Sequence, residues 1–185
     1  VAFLGDSKVG KTSLMVKYVN NDYNPTYEQT KGVAFMERNI QSGTTDVKFS
    51  IYDLGGAREF EEMLSLTTND AVAVVYLFDL SNKESLESLK KWHSVASESN
   101  QNAIPVVVGT KYDLFIEQPK GYQNEIHDAS IEFARSINGS VIFTSTSDSI
   151  NVQKVFKILI SKAFDLQISI PQITNVGEPI LLYNL

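Results

Sequence analysis

Residues 4–13 of the chain read LGDSKVGKTS. A glycine, four further residues and Gly-Lys-Thr constrain the fold more than any other feature of this sequence. The apolar residues 1–4 read as the end of a strand, and residues 14–19 as the start of a helix. A strand, a glycine loop closed by Gly-Lys-Thr and a helix make the arrangement that cradles phosphate. Gly5 and Gly10 let the backbone turn tightly, so the N–H groups of Asp6, Ser7, Lys8, Val9 and Gly10 converge on one anion. The helix N-terminus adds partial positive charge. Lys11 is placed to reach the outer phosphates and the Thr12 hydroxyl to ligate Mg²⁺, with Ser13 beside them.

The remaining residues supply the sheet such a loop needs. Residues 71–80 (AVAVVYLFDL), 104–110 (IPVVVGT) and 141–144 (VIFT) are continuous apolar runs rich in β-branched residues. Runs of this kind are strands covered on both faces, as in a parallel sheet. Residues 46–53 alternate instead, with Val47, Phe49 and Ile51 on one face and Lys48 and Ser50 on the other. This half-exposed strand is expected to pair with residues 33–40 through a turn at Ser42 and Gly43. Three helical stripes lie between the strands. SNKE at residues 81–84 has the capping-box form ahead of Leu86, Leu89 and Trp92. Ile126, Ala129, Phe133 and Ile137 make the second stripe. Val152, Val155, Phe156, Leu159, Ile160 and Ala163 make the third, with Asn151 as its N-cap. Strands and helices in alternation predict an α/β domain, with a mostly parallel six-stranded sheet and helices on both faces. Residues 165–185 lose the helical period and contain Pro171 and Pro179, which points to a segment lying on the domain or binding a partner.

Bulk properties narrow the function. The 185 residues carry a net charge of −6, so clustered cations for a nucleic-acid face are not expected. With no cysteine in these residues, no disulfide framework, thiolate metal site or prenylation signal is visible, and no direct lipid anchor is expected. The longest apolar run is too short to span a bilayer and no secretory signal is visible, so a cytoplasmic protein is expected. Only four residues precede the glycine loop, and the first strand is expected to be truncated.

The glycine loop does not choose a base, but GTKYDL at residues 109–114 does. It ends a buried strand, where α/β sheets bind ligands. The carboxylate of Asp113 can accept from both N1–H and the N2 amine of guanine. Adenine offers neither donor, and a site built this way discriminates by roughly 10⁴–10⁵. Thr110, Lys111 and Leu114 stand around it, the Lys111 stem against the base.

With these motifs in this order, the chain resembles the Ras-like small GTPases over essentially its whole length. The resemblance implies a P-loop NTPase G domain over residues 1–165 and a C-terminal extension over 166–185. It implies GTP/GDP and Mg²⁺ as ligands and a monomer in solution. YDLGG at residues 52–56 resembles the start of switch II, with Asp53 holding Mg²⁺ through water and the Gly56 N–H on the γ-phosphate. EQTKG at residues 28–32 resembles switch I, with Thr30 closing over Mg²⁺ and γ-phosphate. Lys11, Thr30 and Gly56 are thus the catalytic candidates, and Thr12, Thr30 and Asp53 the metal candidates. Tyr23 falls at the aromatic position on the guanine edge. DLGGAREF, GTKYDL, INVQKVFKI and the tail ISIPQITNVGEPILLY are similar to the septum-promoting GTPases of fungal septation-initiation and mitotic-exit networks. That similarity implies an effector protein kinase, a two-part GTPase-activating complex with a TBC-type domain, an exchange factor, and residence at the spindle pole body or centrosome through partners.

Two departures stand out. Ala57 follows Gly56 where the family usually places a glutamine that orients the attacking water. A methyl group neither donates nor accepts, so slow intrinsic hydrolysis is expected. A partner can supply the missing groups in trans, and an arginine finger alone is worth about 10³–10⁵ in rate. Arg58 reads as a switch II contact rather than an internal finger. In TSTSDS, residues 144–149, the expected Ser-Ala-Lys is altered. With Thr146 before it, Ser147 aligns with the alanine whose N–H meets guanine O6, and Asp148 with the lysine. A backbone donor survives that change, but support for the base loop is lost and guanine is expected to be held less firmly. Two functions therefore fit: a GTP-dependent switch that hydrolyses slowly or only with a partner, and a non-hydrolysing GTP-bound interaction module.

Overall fold

A computed structural model of the chain describes residues 1–26, 28–42, 45–55, 63–167, 169–183 and 185. Its elements run β1 (Ala2–Leu4), α1 (Lys11–Asn20), β2 (Val33–Ser42), β3 (Thr45–Leu54), α2 (Leu64–Thr68), β4 (Ala73–Asp79) and α3 (Lys83–Glu87). There follow α4 (Leu89–Ser99), β5 (Ile104–Thr110), α5 (Tyr112–Phe115), α6 (Lys120–Ser136), β6 (Ser140–Phe143), α7 (Val152–Ala163) and β7 (Leu181–Leu182).

The apolar runs become the middle of one sheet, ordered β2-β3-β1-β4-β5-β6-β7. Strands β3, β1, β4, β5 and β6 are mutually parallel, and β2 and β7 are antiparallel edges. Every residue of β4 is buried, as its unbroken apolar run requires. Its alternate side chains feed two cores. Val74, Tyr76 and Phe78 pack with Leu89, Trp92, Ile126 and Phe133 of α4 and α6. Val75 and Leu77 pack with Leu14 and Tyr18 of α1 and with Val155, Phe156 and Leu159 of α7. The alternating strand β3 pairs antiparallel with β2 from Val33↔Leu54 to Ser42↔Thr45. The expected turn reaches Gly43, which lies outside the described residues.

The structure corrects three expectations. The sheet has seven strands among the described residues, because Leu181 and Leu182 of the tail pair with Ile142 and Val141. The cap of α3 is Asn82, whose side chain accepts from the Ser85 N–H. Ser81 instead turns back to the Asp79 carboxylate at 2.6 Å. Asn151 stands at the start of α7 but makes no side-chain cap; its amide donates to the carbonyls of Phe143 and Pro179. Because β1, β3, β4, β5 and β6 are parallel, their carboxyl ends open on one rim. The glycine loop, Asp53, Asp79, Thr110 and Thr144 all lie on it.

Candidate functional site

The glycine loop joins the end of β1 to the first residue of α1. Gly5 has φ +147°, and a Cβ there would meet the Leu77 carbonyl oxygen at 2.2 Å. Only glycine can bring the loop so close to β4. Gly10 has φ +94° and turns the chain into α1. The loop is braced from behind. The Trp92 indole N–H donates to Asp6 Oδ1 at 2.8 Å. The Val9 side chain is buried in the core, and the Thr110 hydroxyl approaches the Val9 carbonyl at 2.5 Å. Ser7, Lys8, Gly10, Lys11, Thr12 and Ser13 face a cleft of about 660 Å³. Tyr23, Thr30 and Lys111 line it from the other side. Tyr23 is 40 % exposed, so its ring is open to a ligand's edge.

Lys11 is buried, and its ammonium donates to the carbonyls of Gly5 and Asp6, each at 2.9 Å. Burial lowers its pKa, opposed by the charges of Asp53 and Asp6. Beside it, sequence positions 12, 30 and 53 meet. The Thr12 hydroxyl donates to Asp53 Oδ2 and lies 2.8 Å from the Thr30 hydroxyl. Thr30 Oγ1 is 3.5 Å from the same carboxylate oxygen. Asp53 is fully buried and its pKa is raised by that burial, against the charge of Lys11 and the hydrogen bonds from Thr12 and Thr30. Its Oδ1 is buried with no hydrogen-bond partner among the described residues. An orphaned carboxylate oxygen and two hydroxyls form a hard-oxygen set suited to Mg²⁺, which keeps most of its waters and takes few protein ligands. The residues therefore fit the ion that the sequence implies.

A second cluster surrounds the base-side candidates. Lys111 adopts φ +58° at the start of α5, and its ammonium pairs with Asp79 Oδ2 at 2.6 Å. That ion pair draws the lysine stem along the rim. Asp113 Oδ1 accepts from the Ser145 hydroxyl at 2.7 Å. The same hydroxyl oxygen lies 2.9 Å from Ser147 Oγ and accepts from the Asp148 N–H at 3.2 Å. The loop of Thr146, Ser147 and Asp148 is thereby tied to Asp113, although neither that loop nor Asp113 lines the cleft itself. Leu114 is half exposed on α5. Sequence reasoning missed Ser145, Asp79 and Trp92. Ser145 was hidden among serines and threonines of equal appearance, and Trp92 and Asp79 read as core and strand-end residues. Gly56, Ala57 and Arg58 lie outside the described residues, as does Tyr27 before switch I.

The Ras family model matches residues 1–165. The chain is 50 % identical over 183 residues to septum-promoting GTP-binding protein 1 of Schizosaccharomyces pombe, covering 99 % of this chain and 92 % of that protein. It is 30 % identical over 160 residues to human Ras-related protein Rab-31, covering 85 % of this chain and 78 % of that protein. It is 28 % identical to the S. pombe GTP-binding protein ypt3 over 87 % of this chain and 73 % of that protein.

Proposed function

The chain belongs to the Ras family of small GTPases, and on that premise we propose that it is a GTP-dependent switch whose hydrolysis is slow or dependent on a partner. The observation that carries this reading is the meeting of Thr12, Thr30 and Asp53 beside Lys11, with one carboxylate oxygen unpaired among the described residues. Thr12, Thr30 and Asp53 would hold Mg²⁺, which when bound would supply positive charge to the phosphates. Lys11 is the fixed cation for the outer phosphates, and the N–H groups of residues 6–10 orient them. Asp113 selects guanine, and the Lys111 stem covers the base. The Ser147 N–H is the donor for guanine O6 in this reading, its loop tied to Asp113 through the Ser145 hydroxyl. Water attacks the γ-phosphorus in line, the bond to the β–γ bridging oxygen breaks, and GDP and inorganic phosphate, which takes up the water's proton, are the products. Loss of that phosphate removes the contacts of Thr30 and Gly56 and releases both switch segments.

The readout is by partners. Phe35 (48 % exposed) and Tyr52 form an exposed aromatic pair 4.9 Å apart, and Leu66 is 81 % exposed. Tyr52 and Leu66 line one groove, and the effector surface in this reading comprises residues 27–35, Tyr52 and residues 57–66. Similarity to the septum-promoting GTP-binding protein supports a septation-like role, and the reading extends from it to an effector protein kinase, a TBC-type activating complex and an exchange factor. In this reading the protein is a cytoplasmic monomer brought to the spindle pole body or centrosome by partners. No helix among the described residues is long and apolar enough to cross a membrane. The G domain spans residues 1–165 and the extension 166–185 in this reading.

Ala57 favours a second reading, a GTP-bound interaction module that does not hydrolyse. Single-turnover hydrolysis by the Ala57→Gln variant separates the two. The switch reading expects a rate at least about tenfold above the parent chain. An unchanged rate removes its chemical basis and leaves the interaction module.

A further inference from the structure

The tail is built into the base side of the site. Ile180 and Leu181 are fully buried, and β7 lies antiparallel on β6, the strand that leads into the base loop. The Phe143 N–H donates to the Ile180 carbonyl at 2.9 Å, one residue before Thr144. Asn151, just beyond the base loop, bonds the carbonyls of Phe143 and Pro179 through one amide at 2.9 and 3.0 Å. On the neighbouring loop, the Tyr112 hydroxyl donates to the Gly177 carbonyl at 2.7 Å. Gly177 reaches that position with φ +85°, where a Cβ would stand 3.3 Å from Lys120 Nζ and Gln123 Oε1.

These bonds fall where the base side lacks support of its own. Helix α5, which carries Tyr112 and Asp113, has only four residues, and a single turn does not hold its own conformation. It is fixed by the Tyr112 N–H on the Thr144 carbonyl at 3.0 Å, by Ser145 on Asp113, and by the tail on the Tyr112 hydroxyl. The base loop has no lysine to brace it. Both loops are instead pinned by the same stretch of tail.

We propose that residues 173–182 are a clamp that sets how long the guanine base is held, with Tyr112, Asn151 and Gly177 as its positioning residues. The clamp acts through Asp113 and the base loop, so it rests on the guanine-site reading above. It governs the base and not the phosphates, which are held on the far side of the cleft by Lys11 and Thr12.

Removing the tail would expose Ile180 and Leu181, so the test removes one hydroxyl instead. Release of fluorescently labelled GDP is measured for the full chain, for Tyr112→Phe and for Tyr183→Phe. Tyr183 bonds the Ile170 carbonyl at 2.6 Å, within the tail rather than on either base loop. GDP and IDP are then compared as competitors, because IDP lacks the N2 amine that Asp113 reads. Tyr112→Phe is expected to release GDP about three- to tenfold faster and to narrow the preference for GDP over IDP. Tyr183→Phe keeps both values, and chelating Mg²⁺ speeds release by the same factor in all three proteins. The clamp is overturned if Tyr112→Phe keeps the parent rate and preference, or if both variants loosen GDP and IDP alike. A parent chain that binds no GDP overturns the guanine-site reading, and the clamp with it.

Discussion

Asp113 shows how a single residue's task depends on what holds it. Its carboxylate is intermediate in exposure and would wander without the Ser145 hydroxyl at 2.7 Å. Asp113→Asn replaces one acceptor with a donor, which suits a base carrying a carbonyl in place of the guanine N2 amine. Competition binding is expected to show preference moving from guanine to xanthine nucleotides, with GDP weakened at least about 100-fold. Loss of all nucleotide binding, or retention of GDP, would contradict the assignment. Much of this level was legible beforehand. Thr12, Thr30 and Asp53 are ordinary residues singly, but their order along the chain foretold their meeting. Ser145 was not legible, since its role depends on which of several hydroxyls faces Asp113. The Trp92–Asp6 bond was not legible either, because it joins residues 86 positions apart.

The strands were readable because buried parallel strands leave continuous β-branched runs, and β5 matches its run end to end. Helix starts were less readable. Adjacent Ser81 and Asn82 are both good caps, and the choice fell to the one whose side chain was not already taken by Asp79. The tail strand was missed because two residues followed by Tyr183 carry no period, and Pro171 and Pro179 argue against a strand. The glycine loop is the element with the least tolerance. In Gly5→Ala the added methyl would meet the Leu77 carbonyl at 2.2 Å in a φ region that alanine avoids. The expected cost is about 3 kcal/mol or more, read as a lower denaturant midpoint with an unchanged slope. A change below about 0.5 kcal/mol would show that the loop does not sit against β4.

At the scale of the whole molecule, the parallel sheet places the phosphate side and the base side on one rim, about a hundred residues apart in sequence. Lys11 and the Thr12–Thr30–Asp53 cluster gather on one side, and Asp113, Ser145 and the tail on the other, and the proposed switch uses the first for phosphate and the second for the base. Both must engage one ligand for the chain to act as a switch. Titration of the nucleotide-stripped full chain with GDP and with ADP, each with Mg²⁺ and with a chelator, tests this most directly. The account expects GDP to bind at least about 10⁴-fold more tightly than ADP, and chelation to weaken GDP. Equal binding of GDP and ADP, or GDP affinity indifferent to Mg²⁺, would contradict it.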